Sequence, residues 1–204
     1  KTIVEIITDA YKKHGRIIFN GNGYSEEWQE EAKRRGLTNE ISANTALRKY
    51  LDPEILRVTE ETGMLTLQES ASRYNAYAER YITHLCIEAR TLIDMANKYI
   101  IPFGLKYSNL LAENIERVEK FYPEAAKEQR LLLESVLTDI SNIRKETKLL
   151  EAKIEEVKKE ENLEKQTDLA KEFLVEGLEN LRVPCDNLEK IVDNEIWTLP
   201  TYTD

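Results

Sequence analysis

The stretch from Leu133 to Val157, LESVLTDISNIRKETKLLEAKIEEV, decides the fold because its core-type residues recur with heptad spacing. Two heptad positions, three residues apart, hold eight residues that we call the seam: Leu133, Ile140, Thr147 and Ile154, then Val136, Ile143, Leu150 and Val157. Charged residues fill most positions between them. A pattern of about three heptads is typical of a long helix with one buried stripe.

A second long helix is predicted upstream of the seam. Thr66 and Glu69 form a capping box, and no Gly or Pro follows until Pro102. We expect Pro102 and Gly104 to kink or end this helix, and the apolar pattern resumes as far as Val118. Tyr122-Pro123 then marks a turn into the seam helix.

Downstream of the seam, the polar run EEVKKEENLEK (155–165) predicts either a solvated helix tip or a turn between helices. An amphipathic helix follows, which we expect to end at Pro184. The stretch from Cys185 to Trp197 predicts one more short helix. If the seam packs within the chain, the helix at 166–182 is its antiparallel neighbour.

These patterns predict an all-α fold in which residues 66–204 form an elongated antiparallel bundle of long helices. Seven glycines, five prolines and 33% charged residues agree with long helices. Residues 1–65 form shorter helices and loops, including an Asp52-Pro53 helix start, and we expect this part to pack on something else.

The N-terminal segment predicts a helix with one buried face, because apolar residues recur at helical spacing: Ile3, Ile6, Ile7, Ala10 and Tyr11. Gly15 ends this helix. The following Ile17–Phe19 is too short for periodicity to classify, and it fits either a brief strand or a buried extended segment.

The loop NGNGY (20–24) precedes a helix that we expect from residue 26 to 35, capped by Ser25 and ended by Gly36. We expect a turn in which Gly21 and Gly23 take positive φ and Asn22 tolerates it, so that Gly23→Ala costs stability. A phosphate cradle is the weaker interpretation, because the loop matches no phosphate-binding motif.

The net charge of −9 argues against nucleic acid and anionic membranes as partners. The longest basic run is Lys33–Arg35, near a predicted helix end. Cys86 and Cys185 lie far apart with no Cys/His cluster, which disfavours a zinc site and fits a reducing cytoplasm. No run of about 18 apolar residues is present, so no membrane span is expected.

Few residues are candidates for chemistry. His84 and Glu88 share a helix face and could form a catalytic dyad, but a satisfied, partly buried polar pair is the favoured interpretation. Three tyrosines at helical spacing, Tyr74, Tyr77 and Tyr81, are more typical of packing than of a binding site. The remaining carboxylates are interleaved with Lys and Arg, as on a solvated helix face.

Three stretches together carry a family resemblance: HGRIIFNGNGYSEEWQEEAKRRGL (14–37), SANTAL (42–47) and ETGMLTLQESASRYNAYAERYITHLCIEARTLIDMANKYIIP (61–102). They resemble the C-terminal region of type III glutamine synthetase, the large bacterial form of glutamate–ammonia ligase. The resemblance covers nearly the whole chain and is looser after Lys120.

The resemblance implies ATP-dependent condensation of glutamate with ammonia through a γ-glutamyl phosphate, with magnesium or manganese. In that family the catalytic, nucleotide-binding and metal-binding motifs lie upstream, and neither the E-x-E pair nor an EFR-like motif occurs here. Glu155-Glu156 sits in polar helix and does not replace them. We therefore carry over no catalytic, cofactor-binding or metal residue and expect this chain alone to be inactive.

The resemblance also implies a role. Residues 1–65 correspond to the end of the catalytic-domain region and residues 66–204 to a C-terminal helical bundle that supports fold and assembly. The implied partners are the rest of the synthetase chain and neighbouring subunits of a homo-oligomeric ring in the cytoplasm. Two other hypotheses are a stand-alone module that dimerises through the 133–157 seam, and an independent enzyme that uses His84, Glu88 and nearby tyrosines.

Overall fold

The computed structural model describes residues 2–201, and within that range it contains helices and no strand, which confirms the all-α prediction. The chain divides into two compact units, one up to Ala46 and one from Leu47 onward. The functional boundary after residue 65 stays a prediction.

The first unit contains two helices and the start of a third: α1 (Ile3–His14), α2 (Glu26–Arg34) and α3 (Ala43–Leu47), with a short 3-10 turn at Gly15–Ile17. Helix α1 begins with a capping box. The Thr2 amide donates to Glu5 Oε2 at 2.9 Å, and the Glu5 amide donates to Thr2 Oγ1 at 3.3 Å. It ends before Gly15, as predicted.

The predicted burial of the α1 apolar face is wrong. Ile3, Ile6, Ile7 and Tyr11 are all exposed, and the one buried hydrophobic residue in the described part of this unit is Ala32. The two interpretations of residues 17–19 are wrong as well. Ile17 closes the 3-10 turn, and Ile18 is extended, but both side chains are exposed and neither residue is described as part of a strand.

Helix α2 agrees with its capping signals. Trp28 donates its backbone amide to Ser25 Oγ at 3.3 Å, which confirms Ser25 as the N-cap. Gly36 follows the helix at φ +72, the left-handed conformation that glycine adopts without strain. The helix is one residue shorter than predicted.

The second unit begins with a 3-10 turn at Arg48–Leu51 and helix α4 (Pro53–Glu61). Asp52 caps α4 by accepting the Glu54 amide at 3.0 Å, and Pro53 occupies the first turn, as predicted. Gly63, at φ +66, follows the helix.

The long helix upstream of the seam does not end at Pro102. Helix α5 (Leu67–Met95) passes through a π-helical turn at Ala96–Ile100 into α6 (Ile101–Glu119). The Ile101 amide donates to Ala96 O, so the hydrogen-bond register changes next to Pro102, which has no amide to donate. The Thr66–Glu69 capping box at the start of α5 is confirmed.

Helix α7 (Pro123–Lys159) runs antiparallel to the continuous α5–α6 helix. An ion pair joins Glu119 to Arg130 near the connecting turn, and at the far end Arg90 Nη2 lies 3.7 Å from Glu155 Oε1. Between these pairs, Gly104 lies against Ile140.

Seven of the eight seam residues on α7 are buried, and Leu133 is half-buried. Dimerisation of the chain through the 133–157 seam is therefore wrong as a hypothesis, because the seam is already covered by other helices of the same chain.

The third arm of the bundle consists of α8 (Leu163–Leu169), a π-helical turn at Ala170–Val175 and α9 (Glu176–Ile191). The polar run was predicted to be either a solvated helix tip or a turn between helices. It contains the turn between α7 and α8, which confirms the second alternative. Gly177 lies against Leu150, and Asn187 Nδ2 donates to Asp139 Oδ1 at 3.4 Å, so this arm is antiparallel to α7, as predicted.

The expected helix end at Pro184 is wrong, because Pro184 lies buried inside α9. Leu181, Cys185 and Leu188 on the same helix are buried in the core, and this packing outweighs the hydrogen bond that proline loses. The predicted helix to Trp197 stops at Ile191. Trp197 instead packs on Phe103, with ring centroids 5.4 Å apart.

Candidate functional site

The NGNGY loop is held by hydrogen bonds to Asn22. The Tyr24 amide donates to Asn22 Oδ1 at 3.0 Å, while the Ser25 amide and hydroxyl donate to Asn22 O at 3.1 and 2.8 Å. This is the local side-chain and turn chemistry for which asparagine is favoured. The amides of Tyr24 and Ser25 are therefore engaged by the chain itself, which favours a turn over a phosphate cradle.

The two loop glycines do not have the backbone conformation that was predicted. Neither Gly21 nor Gly23 has positive φ, so the expected conformational need for glycine at these positions is wrong. A Cβ at Gly23 would meet nothing within 4 Å, whereas a Cβ at Gly21 would lie 2.4 Å from Phe19 Cζ. A side chain at position 21 would therefore have to displace the Phe19 ring.

Phe19 also contacts Trp28 of α2, with ring centroids 4.4 Å apart. The guanidinium of Arg35, the residue after α2, lies 5.9 Å from the centre of the Trp28 ring. These side chains join the loop to α2 inside the first unit. Phe19 lies directly before the loop and Trp28 lies in the helix, and no sequence pattern predicted that their rings are in contact.

The basic run at Lys33–Arg35 is tied to one acid. Glu31 accepts hydrogen bonds from Arg34 at 2.6 and 2.7 Å and from Arg35 at 2.5 Å. The bonds from Arg34 and Arg35 lower the pKa of Glu31 to about 2. Arg35 Nη1 also donates to Arg16 O at 2.7 Å. The run thus braces the end of α2 and the 3-10 turn.

The proposed His84–Glu88 dyad is not formed. Both side chains are exposed, and no hydrogen bond or ion pair joins them in the part of the chain that the structure describes. The favoured interpretation, a partly buried pair, is also wrong, because this helix face points away from the bundle core. An exposed histidine without a positioned partner lacks the geometry of a general base.

The tyrosine series on α5 has three different environments. Tyr77 is exposed and packs on Tyr50, with ring centroids 5.6 Å apart, and Tyr81 is half-buried. Tyr74 is buried, and its hydroxyl has no hydrogen-bond partner among the described residues. The series contributes packing, as predicted.

An ion pair that spacing could not reveal ties the start of the second unit to α8. Arg48 Nη2 donates to Asp168 Oδ2 at 2.6 Å, and Arg48 Nε lies 3.3 Å from Glu164 Oε1. The hydrogen bond that Arg48 donates to Asp168 raises the pKa of Arg48 above its ordinary value. The partners are 120 residues apart in sequence, so no local pattern connects them.

The cysteines do not form a reactive centre. Both are buried free thiols. Desolvation raises the pKa of Cys86, and it raises the pKa of Cys185 to about 12. A thiol in such surroundings stays protonated and is a poor nucleophile at neutral pH. Cys86 as a core thiol is confirmed.

Residues 2–201 contain no group of three His, Cys, Asp or Glu arranged to hold a metal ion. Glu155, half of the Glu155-Glu156 pair, is 2.7 Å from Lys158 Nζ, and this hydrogen bond lowers the pKa of Glu155. We assign no residue of this chain to the divalent ion and ATP that the resemblance implies. No described helix is long and apolar enough to span a bilayer.

The most distinctive surface of the chain is the apolar face of α1. Four large side chains of this face are between 54% and 76% exposed: Ile3, Ile6, Ile7 and Tyr11. Contiguous apolar surface of this kind marks a binding surface more often than a solvated one.

Comparison with known proteins identifies relatives along nearly the whole chain. Residues 2–119 match the glutamine synthetase C-terminal domain family. A glutamine synthetase from Bacteroides fragilis (strain YCH46) is 34% identical over 191 residues, which cover 91% of this chain and 26% of the relative.

Two more distant relatives extend this match. The type-3 glutamine synthetase of Dictyostelium discoideum is 26% identical over 98% of this chain and 28% of its own length. A glutamine synthetase from Butyrivibrio fibrisolvens is 26% identical over 98% of this chain and 29% of its own length. The chain thus spans between 26% and 29% of the length of these three relatives.

Proposed function

The chain belongs to the glutamine synthetase C-terminal domain family, and we propose that it serves as the helical C-terminal part of a type III glutamine synthetase. The observation that carries this proposal is the extent of the match. Glutamine synthetases align with 91% to 98% of this chain, whereas the chain spans less than a third of each of them.

In this proposal the full protein ligates ammonia to glutamate with ATP, and ATP and magnesium or manganese bind outside this chain. The state of the chemistry-bearing side chains supports this division. His84 is exposed without a positioned partner, both thiols are buried, and the Glu155 carboxylate is engaged by Lys158.

The bundle from α5 to α9 supports the fold of the protein and its assembly into a homo-oligomeric ring. Its continuous core gives it the rigidity of a scaffold, because the three arms bury their apolar faces against one another. The net charge of −9 supports a protein partner in the cytoplasm over nucleic acid or an anionic membrane.

The activity is tested on the full-length product of the gene that encodes this chain. We expect glutamine formation that requires glutamate, ammonia, ATP and a divalent metal ion, and no turnover by residues 1–204 alone. A full-length product without this activity would overturn the proposal, and so would turnover by the 204-residue chain.

The scaffold role is tested with a matched pair of variants in the full-length protein. Ile143 is fully buried in the bundle, and Leu149 lies on the same helix with 45% exposure. We expect Ile143→Asp to reduce the oligomer to smaller species in light scattering, and Leu149→Asp to leave it intact. An intact oligomer with a melted bundle would show that the bundle plays no part in assembly.

A further inference from the structure

Helix α1 is a preformed helix with an uncovered apolar face. Its capping box fixes the first turn, and Lys12, Lys13 and His14 complement the dipole in the last turn. The face follows from spacing, since residues three and four apart lie on one side of a helix. It consists of Ile3, Ile6, Ile7 and Tyr11.

The first unit does not supply a cover for this face. Within its described residues, Ala32 is the one buried hydrophobic side chain, and the aromatic contact of Phe19 with Trp28 involves the loop and α2. The first unit therefore leaves these apolar residues of α1 in water, which a stable folded protein avoids on this scale.

The charges of α1 distinguish between classes of partner. The polar side carries two acids and two lysines: Glu5, Asp9, Lys12 and Lys13. Helices that lie on membrane surfaces typically carry an excess of Lys and Arg on the polar face, which attracts anionic lipid. A polar face with no net charge fits a protein surface better than a lipid surface.

The length of the relatives points to one protein surface. More than two thirds of each related synthetase lies outside the region that this chain matches, and the family match includes α1. We propose that the apolar face of α1 docks onto the part of the same synthetase polypeptide that lies outside residues 1–204. This inference rests on the proposed function.

The test compares two aspartate variants of α1 in the full-length protein. Ile7→Asp places a charge on the apolar face, and Thr8→Asp places the same charge on the next residue, which is exposed and lies off that face. Both changes put aspartate in the middle of the same helix, so helix propensity affects them alike.

The readout is hydrogen exchange of the α1 amides, measured by mass spectrometry. We expect α1 in the full-length wild type and in Thr8→Asp to exchange at least roughly tenfold more slowly than in the 204-residue chain. Ile7→Asp should abolish that difference. The inference is overturned if wild-type α1 exchanges equally fast in both proteins, or if the two variants behave alike.

The two proposals fail in different ways. A full-length wild type without ligase activity contradicts the proposed function, whatever the exchange rates are. An active wild type with an unprotected α1 contradicts the docking surface alone. If α1 of the 204-residue chain becomes protected as concentration rises and a dimer forms in sedimentation, a second copy covers the face and the inference is wrong.

Discussion

The two units of this chain use similar sequence patterns with opposite results. In the bundle, amphipathic helices meet, and 22 buried residues form a single cluster. In the first unit, α1 has an equally regular apolar face, yet its isoleucines are exposed. Periodicity identifies which side of a helix is apolar, but burial requires an opposing apolar face, which the first unit does not supply for α1.

This difference should appear most strongly in hydrogen exchange of the 204-residue chain. We expect seam amides of α7 to exchange at least about a thousandfold more slowly than α1 amides, because they open only with the bundle. A 12-residue helix without tertiary cover is marginal in water.

Comparable protection of α1 and α7, in a chain shown to be monomeric by sedimentation, would contradict the comparison. It would mean that α1 is stabilised within these 204 residues despite its exposed face.

The next largest effect comes from one charge in the bundle core. Ile143→Asp should destabilise the bundle by on the order of 4 kcal/mol, because it leaves an unpaired carboxylate where the wild-type side chain is fully buried. Urea unfolding followed by circular dichroism measures the change in the free energy of unfolding.

Leu149→Asp is the control, since it adds the same residue to a half-exposed position of the same helix. We expect a change below about 1 kcal/mol. Equal losses in the two variants would show that helix propensity, and not seam burial, sets the stability of α7.

The helices of the bundle could largely be read from local patterns. The capping box at Thr66, the turn at Tyr122-Pro123 and the seam all act within a few residues, and the structure confirms them. Arg48 and Asp168 could not be paired this way, because their contact depends on how the 3-10 turn at Arg48–Leu51 meets α8.

Two prolines show why a helix end could not be predicted from neighbouring residues alone. Pro102 is expected to kink or end a helix and Pro184 to end one, yet each lies within a continuous helical arm. In the α5–α6 arm a π-helical turn places the register change beside Pro102, and in the α8–α9 arm the residues that flank Pro184 are buried against α7. Tertiary packing outweighs the local cost in both arms.

Gly104 gives a sharper test of packing between the arms. An alanine Cβ there would lie 2.9 Å from Ile140 Cδ1 and 3.3 Å from Leu188 Cδ1. Overpacking costs about 1–3 kcal/mol, and alanine regains about 1 kcal/mol of helix propensity. We therefore expect Gly104→Ala to lose about 1 kcal/mol of unfolding free energy.

Ile140→Ala removes both of the closest atoms, Cδ1 at 2.9 Å and Cγ1 at 3.0 Å, and so provides the background for the comparison. In that background Gly104→Ala should be close to neutral, which gives a coupling energy of about 1 kcal/mol in a double-mutant cycle. Additive effects of the two substitutions would show that Gly104 and Ile140 do not limit the approach of α6 to α7.

The smallest effect concerns the two glycines of the NGNGY loop. A glycine can be needed because a side chain has no room or because the backbone has positive φ, and the two substitutions below distinguish these reasons. Gly21→Ala should displace the Phe19 ring and break its contact with Trp28, a pair worth about 1 kcal/mol. We expect a shift of the Trp28 indole N–H signal in the NMR spectrum, with the Trp197 signal unchanged.

Gly23→Ala is the matched control, because a Cβ there meets nothing within 4 Å and the residue has no positive φ. It should leave the indole signals in place and slightly stabilise the loop by restricting the unfolded chain. A larger perturbation from Gly23→Ala than from Gly21→Ala would restore the original expectation that Gly23 is needed for its backbone conformation, and would contradict the role of Phe19 in closing the loop.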